Sequence, residues 1–270
     1  MFIINPEMTK FKNVKYDMGG YIGYLTGNVI NEWLLEAPFS NPGMLEIFND
    51  RNRKPLRDMI PWAGEFAGKH LTSAVQVYAL TRDEKLGCFI NWFVDRLFSL
   101  QDSDGYIGCW PDEYKLSGNA PNAVCIKTWD AWAHYHIILG LILWYRETGY
   151  EKALDCAEKI GDLLCSMFLN TDKKLVDTGN EEMNLAPIHG LCLLYEETGD
   201  EKYLEMAFQI EREFEVPHAG DYVRTALSGV EFYMTPKPRW ESLHSIQGIA
   251  ELYFITGNEK YLKAFENIWW

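Results

Sequence analysis

Apolar residues recur at three- and four-residue spacing along most of this chain, and the runs that carry this spacing predict helices and no long strand. Gly20 to Glu36 reads as the first helix, ended by Pro38. A short one around Met44 to Asn49 follows the turn-forming segment Ala37-Pro-Phe-Ser-Asn-Pro-Gly43. Longer helices then come in pairs: 61–80 with 84–100, 128–147 with 151–168, 184–197 with 201–214, and 240–255 with 259–270. The first helix of each pair opens with polar and aromatic residues and ends apolar. The second is an ordinary amphipathic cover.

One recurring turn joins the pairs: Thr81-Arg-Asp-Glu-Lys85, Thr148-Gly-Tyr-Glu-Lys152, Thr198-Gly-Asp-Glu-Lys202 and Thr256-Gly-Asn-Glu-Lys260. Glycine there ends the incoming helix in a left-handed conformation. Asp or Asn, where present, caps the outgoing helix, with Glu favoured in its first turn. The four threonines lie 67, 50 and 58 residues apart, which excludes a fixed-period solenoid. Variable loops between regular hairpins instead fit a toroid whose inner ring, made of the first helices, surrounds one cleft. Counted back from their turn threonines, Trp132 and Trp240 share one offset, His136 and His244 a second, and Gly140, Gly190 and Gly248 a third. Glycine inside a helix costs about 1 kcal/mol relative to alanine, so its recurrence at one place predicts close helix approach.

Composition narrows the partners. The chain is 47% hydrophobic and 14% aromatic, enough for a packed core. A net charge of −14 with no Lys/Arg cluster argues against nucleic acid and suits a neutral ligand. No apolar run is long enough to span a membrane, and the N-terminus lacks a signal-peptide pattern. The six cysteines, at 88, 109, 125, 156, 165 and 192, show no C-x-x-C spacing and several sit in apolar runs. They read as free buried thiols of a cytoplasmic protein.

His136 and His244 are the sharpest candidates for chemistry. A lone histidine on an apolar helix is usually a hydrogen-bonded core residue, but two at one offset, each a turn after a tryptophan, argue for a shared task. His134 and His189 have no repeat partner and read as structural. Trp132 and Trp240 either stack on the apolar face of a sugar ring or fill the core. Glu65, Lys69, Asp130, Asn184 and Glu241 stand at the helix entries and would converge on the same cleft. Paired carboxylates are the usual machinery of glycoside hydrolysis, although each of Glu65, Asp130 and Glu241 can equally cap a helix or pair with Lys69 or Arg239. The 102–111 loop, with Gly105, Tyr106, Gly108 and Trp110, either walls the cleft or is an ordered turn. Phosphate loops, zinc spacings and nucleophile elbows are absent.

Several stretches together carry a resemblance: Asn41-Pro-Gly-Met-Leu45, Pro61-Trp-Ala-Gly-Glu-Phe-Ala-Gly-Lys69, the Asp-Gly-Tyr of the 101–108 loop, Trp129-Asp-Ala-Trp132 and Pro238-Arg-Trp-Glu-Ser-Leu-His244. Over nearly its whole length the chain resembles the β-L-arabinofuranosidase-like glycosidases, glycoside hydrolase family 127 and its relatives. The resemblance implies an all-α fold, an (α/α)6-type toroid of which four to five of six hairpins are present. It implies hydrolysis of L-arabinofuranosides or a related sugar with retention of configuration. Sugar contacts are implied at His136 and His244, and near Asn184, where the family has a histidine. The family's nucleophile is a zinc-held cysteine, in a Glu-Thr-Cys motif with a later Cys or Cys-Cys, and this chain has no Glu-Thr-Cys and no adjacent cysteines.

The expectation is therefore an irregular leader over 1–19 and one toroid domain over 20–270, truncated at its C-terminal end and supplying the sugar-binding half of an active site. The expected substrate contacts are His136, His244, Asn184, Trp132, Trp240, Asp130 and Glu65. Catalytic groups and zinc are expected only in the full-length protein. Two other classes compete. One is a sugar isomerase or epimerase with paired histidines as acid and base. The other is a non-enzymatic helical module that would enclose Trp132, His136 and His244 in a packed axis. An incomplete ring leaves apolar inner faces bare, which allows a homo-oligomer, whereas nucleic acid and membrane are not expected partners.

Overall fold

Helices dominate the computed structural model, which describes residues 14–124 and 127–270; most of the expected leader lies outside the described residues, as does Cys125. Helix α1 (Gly20–Asn28) runs on into a π-helical turn (Val29–Leu34), and the short helices α2 (Ala37–Ser40) and α3 (Gly43–Asn49) deliver the chain to the repeating region. The first two hairpins are α4 (Glu65–Thr81) with α5 (Glu84–Leu100) and α6 (Asp130–Thr148) with α7 (Glu151–Phe168). A single turn, α8 (Glu181–Asn184), precedes the third, α9 (Pro187–Thr198) with α10 (Glu201–Glu213). Another short helix, α11 (Tyr222–Leu227), precedes the fourth, α12 (Ser242–Thr256) with α13 (Glu259–Trp269). Among the described residues there is no strand, only an isolated bridge between Met59 and Ala123.

The outer helices follow the predicted boundaries closely, while the inner ones begin later. Residues 61–64 are turns ahead of α4. The third inner helix starts afresh at Pro187 rather than at Asn184. Proline at the first helical position gives up only an N–H that has no intrahelical partner there, whereas within a continuous helix it would break the ladder. The short helices α8 and α11 were not expected from periodicity, because four to six residues are too few to show a period.

The hairpin turns share one construction, except that Tyr150 in the second makes no side-chain cap. Gly149, Gly199 and Gly257 have φ of 71°, 70° and 68°, the left-handed conformation that ends a helix; in the first turn Arg82 adopts it with φ 52°. Asp83, Asp200 and Asn258 accept a hydrogen bond from a backbone N–H of the outgoing helix. The threonine hydroxyl donates to the carbonyl four residues back and accepts from the N–H two residues on, in all four turns.

Helices α4, α6, α9 and α12 pack side by side in that order as the inner layer, each backed by its own outer helix. The recurring glycines sit where successive inner helices touch. A Cβ at Gly140 would lie 2.9 Å from Leu71 of α4, one at Gly190 3.1 Å from Ile138 of α6, and one at Gly248 2.6 Å from Ile188 of α9. Leu71, Ile138 and Ile188 stand at one common offset before their own turn threonines, so the same ridge enters the same notch three times. No comparable packing joins α12 to α4, and the four hairpins form an open arc.

Candidate functional site

Trp132 is the hub on which the two distant Trp/His pairs meet. Its ring centre lies 4.4 Å from His136, 4.9 Å from His244 and 5.9 Å from Trp240. The two imidazoles are 5.2 Å apart. The third hairpin separates these pairs in the arc, but at the histidine offset it carries Ala186, whose small side chain packs with Trp132 and Tyr135 and leaves the rings room to meet.

The first inner helix fills the same two offsets with Glu65 and Lys69. Lys69 Nζ lies 2.8 Å from Glu65 Oε2 and 5.3 and 5.1 Å from the ring centres of Trp132 and Trp240. An ammonium placed over aromatic faces is attracted by their quadrupoles. Glu65 also accepts the indole N–H of Trp132. Glu65 thus holds both a cation and a ring in position from a buried place. In the third hairpin the tryptophan offset is taken by Glu182, which Arg239 bridges to Glu241, with N···O distances of 3.0 and 2.9 Å. The sequence reading paired only two of these four repeats, since a change of residue type hides an offset that geometry keeps.

Tyr135 was missed altogether. Its hydroxyl lies 3.0 Å from His189 Nδ1 and 2.9 Å from His244 Nδ1. One hydroxyl has one proton, so it donates to one ring and accepts from the other, and this brings His189 into the cluster. Burial, then Lys69, drives His244 down to about 4. Burial, then His244 and Arg146, drives His189 to about 3. Burial, with His244 and Lys69 adding to it, takes His136 well below its usual value. All three imidazoles are therefore neutral near pH 7, each able to donate one hydrogen bond and accept another. His136 is only 3% exposed and its Nε2 has no partner among the described residues. Trp240, at 56% exposure, and the half-buried Lys69 and His244 bring the cluster to solvent.

Two other expected contacts make hydrogen bonds within the fold. Asp130 Oδ2 accepts the Tyr106 hydroxyl at 2.9 Å and the Leu116 N–H at 2.9 Å, so this carboxylate fastens the loop that follows α5. Arg51 fastens the same loop from another side, donating to the carbonyls of Leu100 and Gly108 and to Asp102. Tyr106 and Trp110 are buried, and the loop is an ordered, packed turn. Asn184 donates to the carbonyls of Thr128 and Gly179 and accepts the Trp132 N–H at 3.4 Å. Both ends of its amide are occupied in joining α8 to the start of α6. His134 bonds the Asp130 carbonyl and accepts the Ile107 N–H, a structural arrangement.

Among the described residues no group of three or more His, Cys, Asp or Glu is placed to hold a metal. Burial pushes the thiols of Cys109, Cys156, Cys165 and Cys192 up, away from the thiolate that zinc requires. The residues described here do not fit a zinc site. No described helix is long and apolar enough to cross a membrane.

Residues 28–270 match the family described as beta-L-arabinofuranosidase, GH127 catalytic domain. A solved GH127 beta-L-arabinofuranosidase from Geobacillus stearothermophilus T6 is similar with a TM-score of 0.62 and 18% identity, over 91% of this chain and 43% of that one. A structure described as a GH127 beta-arabinofuranosidase gives 0.62 and 20%, over 87% and 38%. One described as a glycoside hydrolase gives 0.56 and 19%, over 93% and 35%. No curated protein matches in sequence. The chain spans less than half the length of these structures, and its likeness to them is one of fold: the arc is that of the (α/α)6 toroid.

Proposed function

The chain belongs to the GH127 beta-L-arabinofuranosidase catalytic-domain family, and from that premise we propose that it supplies the sugar-binding half of the active site of a retaining glycosidase acting on L-arabinofuranosides or a related sugar. The observation that carries this reading is the unpartnered Nε2 of His136, inside a cluster of neutral imidazoles against Trp132. A buried nitrogen without a partner is costly, and a sugar hydroxyl, which both donates and accepts, is a fitting partner for a neutral imidazole. His136 and His244 bond ring hydroxyls, Trp132 and Trp240 wall the ring, and Glu65 positions Trp132 and Lys69. The bond-breaking groups are outside this set, so the chain alone turns over little or no glycoside. Acid–base chemistry by the histidines, as in an isomerase, fits less well, because an imidazole held at about 4 is a poor proton acceptor at neutral pH.

Calorimetric titration of the 270-residue chain with L-arabinose tests the assignment. His136→Ala and His244→Ala are each expected to weaken binding at least about tenfold, roughly 1.4 kcal/mol. Affinities within a factor of about two of the parent would refute it. Turnover of an aryl arabinofuranoside, abolished by Glu65→Gln, would instead move the chemistry onto the carboxylates. One observation favours a second reading, a non-enzymatic helical module: Trp132 and His136 are enclosed and touch each other. That reading predicts no sugar binding at all.

A further inference from the structure

His189 is buried with a different neighbour at each ring nitrogen. Its Nδ1 lies 3.0 Å from the Tyr135 hydroxyl, and its Nε2 lies 3.9 Å from Glu251 Oε1. The contact between inner helices brings about the second meeting. Gly248 of α12 is pressed against the backbone of α9, where a Cβ would lie 2.8 Å from the His189 nitrogen. Glu251, three residues on, shares that face of α12 and reaches the same side chain. At 3.9 Å the carboxylate acts on the ring through its charge: an ionised carboxylate attracts an N–H and repels a lone pair.

That choice does not stay local. His189 is neutral and carries one proton, so an N–H at Nε2 leaves a lone pair at Nδ1. Tyr135 then donates its only proton to His189 Nδ1 and accepts from His244 Nδ1, 2.9 Å away. His244, also neutral, is left with a lone pair at Nε2. If His189 carries its proton on Nδ1 instead, every bond in the row reverses and His244 keeps its proton on Nε2. The row has two settings, and in both the two imidazoles are opposite tautomers.

We propose that Glu251 is a positioning residue that selects between these settings, and so decides whether His244 offers its Nε2 to a ligand as an acceptor or as a donor. Ionised Glu251 gives the acceptor. Protonated Glu251 has lost the charge that held the N–H at His189 Nε2, its own O–H favours a lone pair there, and the row reverses to give the donor. The change takes up one proton from solvent, which Glu251 keeps; both imidazoles and the hydroxyl hold one proton each throughout. Glu251 is partly exposed and faces His189, Cys192 and Glu196 of α9 and Arg146 of α6. Arg146 is shared with Glu196 and Glu197, and Lys260 of α13 is taken by Glu211. Burial, then Glu196, raise Glu251 to about 7 against the pull of Arg146, so both settings fall near neutrality. His189 and His244, held at about 3 and about 4, stay neutral across that range.

The effect on a ligand rests on the sugar-binding reading, whereas the tautomers do not and are read in the free chain. Two-bond nitrogen-15 to proton correlation spectra distinguish Nδ1–H from Nε2–H, with His189→Asn and His244→Asn for assignment. At about pH 8.5 the parent is expected to show His189 as Nε2–H and His244 as Nδ1–H, and at about pH 6 both are expected to have exchanged together. In Glu251→Gln neither ring is expected to change between these values; Glu251→Met replaces it if that variant fails to fold. In Tyr135→Phe, His189 is expected to follow pH as before while His244 no longer does. A carboxylate that only braces the fold would move the melting temperature and leave the tautomers as they are. That result, like tautomers on the two rings of the parent, or a His244 that still follows pH in Tyr135→Phe would each overturn the inference. Titration of the same samples with L-arabinose keeps the two readings apart: a chain that switches tautomers and binds no sugar upholds the selection by Glu251 and refutes the sugar contact.

Discussion

Asp130 and His136 lie six residues apart on α6, both buried; Asp130 Oδ2 takes two hydrogen bonds from the fold, while Asp130 Oδ1 and His136 Nε2 have no hydrogen-bond partner among the described residues. Sequence spacing ranked them together as polar residues at a helix entry. The distinction rests on where each side chain finds hydrogen bonds, and for Asp130 the donors come from Tyr106 and Leu116 in a loop that periodicity does not describe. Replacing Asp130 with Ala strands both donors, at about 1–3 kcal/mol for each that stays buried. The expected result is a lower urea midpoint with L-arabinose affinity of the folded protein held within a factor of about two, well under the tenfold that 1.4 kcal/mol represents. A tenfold loss of affinity at unchanged stability would show that Asp130 reaches the sugar. The same reasoning separates Asn184, whose amide is occupied at both ends, from His244, which keeps a solvent-facing side.

At the scale of the helix, the repeat is a rule about contact. Each of α6, α9 and α12 receives, in a glycine notch, a ridge residue of the inner helix before it. Gly248→Ala tests the rule, because two effects oppose each other there. Alanine gains about 1 kcal/mol of helix propensity. Its Cβ would lie 2.6 Å from Ile188 Cγ2 and 2.8 Å from the His189 nitrogen, which is backbone and cannot swing aside. Overpacking of this kind costs about 1–3 kcal/mol, so the variant is expected to melt at lower temperature. Gly27→Ala in α1, where a Cβ meets nothing within 4 Å, serves as the control and is expected to hold or raise the melting temperature. Equal stabilisation by both changes would refute the notch. The glycine recurrence was legible in the chain, and so was its meaning of close approach. The identity of the neighbour was not.

For the whole molecule, the buried neutral histidines tie stability to pH. His70, packed against Phe89 and Phe93, is driven by burial to about 4; His244 is held at about 4 and His189 at about 3. In the unfolded chain each titrates near 6.5. As pH falls below 6.5 the unfolded state takes up protons that the folded state refuses until about 4, so stability drops across that window. The slope reaches up to about 1.4 kcal/mol per pH unit for each histidine. Urea midpoints are expected to be level above pH 7 and to fall steadily from 6.5 towards 4; a flat profile across that window would contradict the burial of these rings. The sequence by itself determined the helices, their pairing through Thr-Gly turns, the notch positions and the Trp/His repeat, because capping and a 3.6-residue period are local properties of the chain. Periodicity also sets the face and height of each side chain on its helix. It does not set the partner, which depends on residues 54 to 171 positions away and on what volume lies between them. Only the tertiary structure therefore decided that Ala186 leaves room for rings from α6 and α12 to meet, that Tyr135 joins His189 to His244, and that Lys69 lies over both Trp132 and Trp240.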